Sequence, residues 1–124
     1  MTTSTSDHTA NLERETASMH AYIIGSGLAV EHPKGHSQYM LRYRTPCGTE
    51  VALEKRKGAP LMYFARGVAE GRIDHLSPDW LPASDIGRNS NLKPLDTFRG
   101  RALARLRVST PELGRAAFDA CVNR

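Results

Sequence analysis

Polar and apolar residues alternate most regularly in the two runs that flank Pro46-Cys47-Gly48. Period-two alternation is typical of β-strands that bury one face. Proline suits the first turn position and glycine a left-handed closing position, so the three residues predict a hairpin loop with a glycine bulge. The register that keeps the apolar residues on one face pairs Arg44 with Glu50, Tyr43 with Val51, Leu41 with Leu53, and Tyr39 with Lys55.

The pattern is less regular elsewhere. Residues 61–65 are nearly all apolar and predict a short central strand, followed by a helical turn or two over residues 66–73. Residues 21–30 are apolar but interrupted by two glycines, which predicts a strand that bends. Residues 11–19 predict a short helix, and residues 74–94, which are rich in proline, predict irregular structure.

The run from Arg99 to Val108 has arginine at four of its odd positions and small apolar residues at its even positions. As a strand, it would display four arginines on one face. The competing interpretation is a helix that begins before this run and includes Leu95 and Phe98 in its apolar stripe. We prefer the strand because Gly100 would lie inside that helix.

Thr110 and Pro111 are typical of a helix start, with threonine as the N-cap and proline at the first helical position. The apolar residues that follow predict a C-terminal helix. Together these patterns predict an α+β fold, a mainly antiparallel sheet of four to five strands with the C-terminal helix packed on one face. Residues 1–10, rich in threonine and serine, predict a disordered tail, and residues 11–124 a single domain. The opposite, arginine-bearing face of the sheet is expected to be exposed.

Composition narrows the class of protein. The 124 residues carry a net charge of +4 with an isoelectric point of about 9.4, which favours acidic partners. The basic residues concentrate in residues 34–66 and 101–124. Neither a secretory signal nor a membrane-length apolar run is found, so we expect no membrane association and a cytoplasmic location. The two cysteines, Cys47 and Cys121, are expected to be free thiols because cytosolic disulfides are rare.

The chemistry that this charge predicts is anion binding. Residues 87–93 combine glycine, amides, a hydroxyl and cations, a composition that suits phosphate groups. Arginine's planar fork binds phosphate oxygens in pairs. The candidate nucleic-acid or anion-binding residues are Arg88, Asn89, Ser90, Asn91, Lys93, Arg101, Arg105, Arg107, Lys55, Arg56 and Lys57. The leading hypothesis is a small non-enzymatic nucleic-acid-binding module.

Other interpretations remain open. Glu50 and Glu54 share the polar face of the hairpin and could pair with the arginines as a solvated ladder, although two acids cannot neutralise all the arginines on that face. A protein-interaction module that docks on an acidic protein or a nucleoprotein machine is the first alternative function. A small hydrolase or nuclease that uses Asp74, His75 or the two glutamates is the second. No motif specifies a catalytic residue, a metal or a cofactor; His32 and His36, separated by proline and glycine, lack a third ligand at a telling spacing.

Overall fold

The structure, a computed structural model, describes residues 13–84 and 87–122. The tail predicted for residues 1–10 lies outside this part of the chain. The elements in chain order are α1 (Arg14–Gly25), β1 (Val30–Glu31), β2 (Met40–Arg44), β3 (Glu50–Glu54), β4 (Leu61–Ala65), α2 (Arg66–Ala69), β5 (Asp79–Leu81), β6 (Leu103–Arg107) and α3 (Pro111–Val122). Short 3-10 turns span Asp74–Leu76 and Ser90–Leu92.

All six strands form one antiparallel sheet in the order β1-β2-β3-β4-β6-β5. This architecture, with the C-terminal helix on one face, confirms the predicted α+β class. The sheet has more than the expected four to five strands because the short strands β1 and β5 form its two edges. β5 lies within the region expected to be irregular, where three residues between Pro78 and Pro82 are too few to show a pattern.

The β2–β3 hairpin has the predicted register, with Arg44 opposite Glu50 and Leu41 opposite Leu53. Gly48 closes the loop with a φ of +96°, a conformation that glycine adopts without steric cost. The pairing continues past the strand ends, where the Lys55 amide donates to the Tyr39 carbonyl at 2.9 Å. The alternation of side chains was therefore sufficient to select the loop length.

Helices α1 and α3 cover one face of the sheet and form the main core. α1 contributes Met19 and Ile23, and α3 contributes Ala117, Phe118 and Cys121. Cys121 is buried and Cys47 is exposed, and no disulfide joins them, as predicted. None of the described helices is long and apolar enough to cross a membrane.

The opposite face is also covered, which corrects the expectation of an exposed polar face. Residues 88–100, here called the cover segment, pass over it. Their apolar side chains, Leu92, Leu95 and Phe98, form a second core with strand residues that include Met40, Ala52 and Tyr63. Packing these three apolar side chains against the sheet removes them from water, and this stabilises the cover segment on this face.

The charged residues under the cover segment are hydrogen-bonded to it. Arg42, only 5% exposed, donates from Nε and Nη2 to the Asn91 carbonyl at 3.0 and 2.8 Å. Glu50 accepts from the amide and hydroxyl of Thr97, both at 2.7 Å, and from His32 Nε2 at 2.5 Å. Buried charges need such partners, so Arg42 and Glu50 anchor the cover segment rather than face solvent.

Two predicted strands are wrong in whole or in part. Residues 21–25 belong to α1, because Met19 and Ile23 lie one turn apart on its buried side, and Gly27, at a φ of +73°, follows the helix end. The arginine run forms a strand only from Leu103, since the chain turns at Gly100, whose φ is +65°. The face of four arginines is therefore reduced to Arg105 and Arg107.

Candidate anion-binding cleft

The end of the sheet that the cover segment leaves open presents polar side chains from neighbouring strands. Leu61 on β4 lies between Glu54 on β3 and Arg107 on β6. Directly opposed residues point to the same face, and strands are spaced at about 4.8 Å, so Glu54 and Arg107 lie about 10 Å apart on this face. Two residues inward, Tyr63 is likewise opposite Arg105. Glutamate, tyrosine and arginine thus share this face of the sheet, where Glu54 and Tyr63 are buried and Arg107 is exposed.

This surface forms the floor of a cleft of about 370 Å³ between the sheet and the chain that leads into the cover segment. Three arginines, Arg56, Arg88 and Arg105, lie around it together with Asn89. Leu81, Pro82 and Leu92 supply apolar walls. The volume falls within the range of small-ligand sites, and the combination of apolar walls with a few polar groups is typical of them.

Glu54 is the central acceptor of the cleft. Its Oε1 accepts from the Tyr63 hydroxyl at 2.5 Å, and its Oε2 accepts from Arg56 Nε at 2.7 Å. Burial and the bond to Glu54 raise the pKa of Tyr63 above its usual range, so the phenol keeps its proton and donates. The carboxylate is 7% exposed and is held in one position by both bonds.

The other two arginines are held by different acceptors. Arg105 donates to Asp79 at 3.1 Å. Burial alone would lower the pKa of Arg105, but its interactions with Asp79 and Tyr63 raise that pKa. Asp79 is well exposed, so this bridge contributes at most about 1 kcal/mol and leaves the guanidinium accessible to a ligand. Arg88 donates to the carbonyls of Phe98 at 2.8 Å and Pro82 at 2.6 Å. Both arginines are positioned before any ligand arrives.

The predicted ladder of Glu50 and Glu54 with the arginine run does not form. Glu50 bonds to the cover segment and Glu54 to Arg56 and Tyr63. Among the described residues, Asp79 is the carboxylate within 4.0 Å of Arg105, and none lies that close to Arg101 or Arg107. Positive charge therefore remains unneutralised by described acids at both ends of β6.

The structure brings together only part of the predicted anion site. Arg56, Arg88, Asn89 and Arg105 line the cleft, and Arg107 lies beside it on the strand. Lys57, exposed, follows Arg56 at the rim. The remaining candidates, which do not line the cleft either, are Ser90, Asn91, Lys93, Arg101 and Lys55.

Three of these five outlying residues have a structural reason for their position. Lys55 alternates with Arg56 onto the helix-covered face, where burial lowers the pKa of His36 and the charge of Lys55 adds to this effect. Asn91 is held by Asn89, whose Oδ1 accepts from the Asn91 amide at 2.9 Å. Arg101 precedes β6 at its far end, about 20 Å along the chain from Arg107 if fully extended. The residues of the predicted basic surface are thus divided between the two faces of the sheet and between the two ends of β6.

Sequence reasoning did not include Glu54 or Tyr63 among the candidate anion-binding residues. Tyr63 lies in the nearly all-apolar run that predicts a short central strand. The signal that could have found it is period two within that strand, which puts Leu61 and Tyr63 on the face opposite Met62 and Phe64. Tyr63 is indeed buried, but its hydroxyl reaches the cleft.

The geometry does not support the two glutamates as a shared metal or catalytic site. Glu50 and Glu54 are separated along β3 by about 13 Å and bond to different partners, so they cannot share a metal ion. Within residues 13–84 and 87–122, no group of three or more metal-ligating side chains converges. His32 accepts from the Lys34 amide at Nδ1, so Nε2 carries the proton donated to Glu50 and neither nitrogen is available.

Comparisons of the chain with protein-family models, curated proteins and solved structures found no match. A function for this protein is therefore inferred from the residues of the cleft and their geometry.

Proposed function

We propose that this protein binds nucleic acid through the phosphate groups, using the cleft and its arginine rim. The observation that carries the proposal is the convergence of Arg56, Arg88 and Arg105 on one cleft, with Arg107 beside it. The guanidinium group matches two phosphate oxygens at once, and pre-positioned donors lose little entropy on binding. A cytoplasmic location, where nucleic acids are abundant, is part of the proposal.

The position of Arg107 supports a polymer rather than an isolated anion. It lies outside the cleft lining, is exposed, and has no carboxylate within 4.0 Å among the described residues. A strand whose phosphate lies in the cleft would extend past the rim and bring a neighbouring phosphate to Arg107. An acidic protein could use the same guanidinium groups, and the experiment below separates the two.

The test is the salt dependence of binding to a labelled uridine decamer, followed by fluorescence anisotropy. Each neutralised phosphate of a single strand contributes about −0.7 to the slope of log K against log salt. If one phosphate lies in the cleft and a second meets Arg107, the slope is about −1.4, and affinity falls about sevenfold between roughly 50 and 200 mM salt. No binding at low salt would overturn the proposal.

Arg107→Gln and Arg101→Gln form a matched pair, since both remove one exposed arginine from the same run. We expect Arg107→Gln to weaken binding on the order of fivefold and to lower the slope by about 0.7, because one phosphate contact is lost. Arg101→Gln, at the other end of β6, is expected to change neither. Equal effects of both changes would indicate diffuse charge attraction and contradict a cleft.

An acidic competitor distinguishes the partner classes. Displacement of the decamer by polyphosphate but not by polyglutamate, at equal charge concentration, supports phosphate recognition. Stronger displacement by polyglutamate would favour the acidic-protein alternative and overturn the proposal.

A further inference from the structure

One feature of the cleft does not suit a site for phosphate alone. The carboxylate of Glu54 lies on its floor, where it repels any anion that enters. Two hydrogen bonds hold this carboxylate in place, from Tyr63 at 2.5 Å and from Arg56 at 2.7 Å. A carboxylate offers about four acceptor positions, so two remain for a ligand after these bonds.

The ligand that satisfies all the lining groups carries hydrogen-bond donors, flat apolar faces and a negative charge. Donors suit Glu54, apolar faces suit the walls formed by Leu81, Pro82 and Leu92, and the charge suits the arginines. An unpaired nucleotide has all three features. Among the bases, guanine presents an N–H and an amino group side by side, which match the two oxygens of one carboxylate.

We infer that the cleft holds one unpaired nucleotide, with a preference for guanine that Glu54 supplies; this inference rests on the proposed nucleic-acid binding. In a duplex the Watson–Crick edge of the base is already occupied, so the site selects single strands or loops. Uracil has a single N–H between two carbonyl groups. Its carbonyl oxygens would face the Glu54 carboxylate, which makes it the disfavoured base.

The experiment compares the uridine decamer with the same decamer carrying one central guanosine. A bidentate contact to a base discriminates by about 1–3 kcal/mol, so we expect at least about fivefold tighter binding of the guanosine decamer. In Glu54→Gln this preference is expected to fall below about twofold, while binding of the uridine decamer strengthens because the repelling charge is gone.

Glu112→Gln is the matched control, since it removes the same charge from an exposed position on α3, remote in the chain from the cleft. It is expected to keep the guanosine preference. Equal affinity of the unmodified protein for both decamers, with the salt slope retained, would overturn the guanine site and leave the proposed function standing. Binding of neither decamer would overturn both.

A second measurement does not depend on the variant's folding. Guanosine monophosphate and uridine monophosphate compete against the labelled uridine decamer on the unmodified protein. Displacement at several-fold lower concentration of the guanosine nucleotide supports the inference for a free nucleotide as well as for a strand. Equal displacement by the two nucleotides contradicts it.

Discussion

His36 is expected to make the fold less stable in mildly acidic solution. Its side chain is only 4% exposed, and its Nδ1 accepts from the Arg42 amide at 2.9 Å. Nε2 is buried and makes no hydrogen bond within the described residues, although Glu31 Oε1 is 3.3 Å away. Burial lowers the pKa of His36 to about 4, assisted by repulsion from His20, Lys55 and Arg42 and opposed by Glu31.

The magnitude follows from linkage between protonation and folding. The unfolded chain binds a proton at His36 near the ordinary pKa of 6.5, whereas the folded chain binds it only near 4. Between these values the unfolded state holds more protons, so stability rises with pH and is lost as pH falls. The loss amounts to about 2 kcal/mol between pH 7 and 5, and about 3 kcal/mol below pH 4.

The assay is urea unfolding at pH 7, 6 and 5, followed by circular dichroism. His36→Asn keeps an acceptor near the position of Nδ1 but cannot be protonated, so its free energy of unfolding is expected to lose about 2 kcal/mol less than that of the unmodified protein over this range. His20, whose pKa is also lowered by burial, contributes in the same direction and remains in both proteins.

His75→Asn is the control, because His75 is exposed on the Asp74–Leu76 turn. It is expected to leave the pH dependence unchanged. If His36→Asn has the same loss of stability from pH 7 to 5 as the unmodified protein, the assignment of acid sensitivity to this buried ring is refuted.

Two further predictions concern packing and buried charge. Gly114→Ala places a Cβ 2.6 Å from Met19 Sδ and 2.7 Å from Val108 Cγ1. Because overpacking outweighs the gain in helix propensity, the free energy of unfolding in urea is expected to fall by about 1–2 kcal/mol. A stabilised variant would contradict the close contact at this helix position. Glu50→Ala leaves the buried His32 N–H without an acceptor and is expected to lower the free energy of unfolding by about 3 kcal/mol or more. Backbone amides in the cover segment are expected to exchange faster. Unchanged amide exchange there would show that Glu50 does not anchor the cover segment.

Local sequence patterns were sufficient to predict the elements that are stabilised by contacts between residues close together in the chain. The hairpin around Gly48 and the start of α3 are of this kind. The Thr110 hydroxyl accepts from the Leu113 amide at 3.2 Å, as expected of an N-cap. α1 was partly missed because Tyr22, Ile23 and the adjacent Ile24 favour strands in isolation, whereas packing of the helix against the sheet outweighs that preference.

The cover segment was not predictable because the three-residue spacing of Leu92, Leu95 and Phe98 does not indicate which part of the sheet they pack against. Their burial depends on Met40, Ala52 and Tyr63, which are distant in the chain. The same long-range packing buries Arg42, which by alternation alone belongs to an exposed face. A buried arginine and an exposed one look alike in a strand pattern.

The sequence by itself determined the α+β class, the register of β2 and β3, and an excess of arginine without matching acids. Only the tertiary structure decided which arginines can meet a ligand, because exposure depends on the segments that pack over a side chain from elsewhere in the chain. Arg105 and Arg107 remain at an open end of the sheet, while Arg42 is enclosed. Tertiary structure also placed Glu54 near Arg105 and Arg107, because β4 pairs with β3 on one side and with β6 on the other.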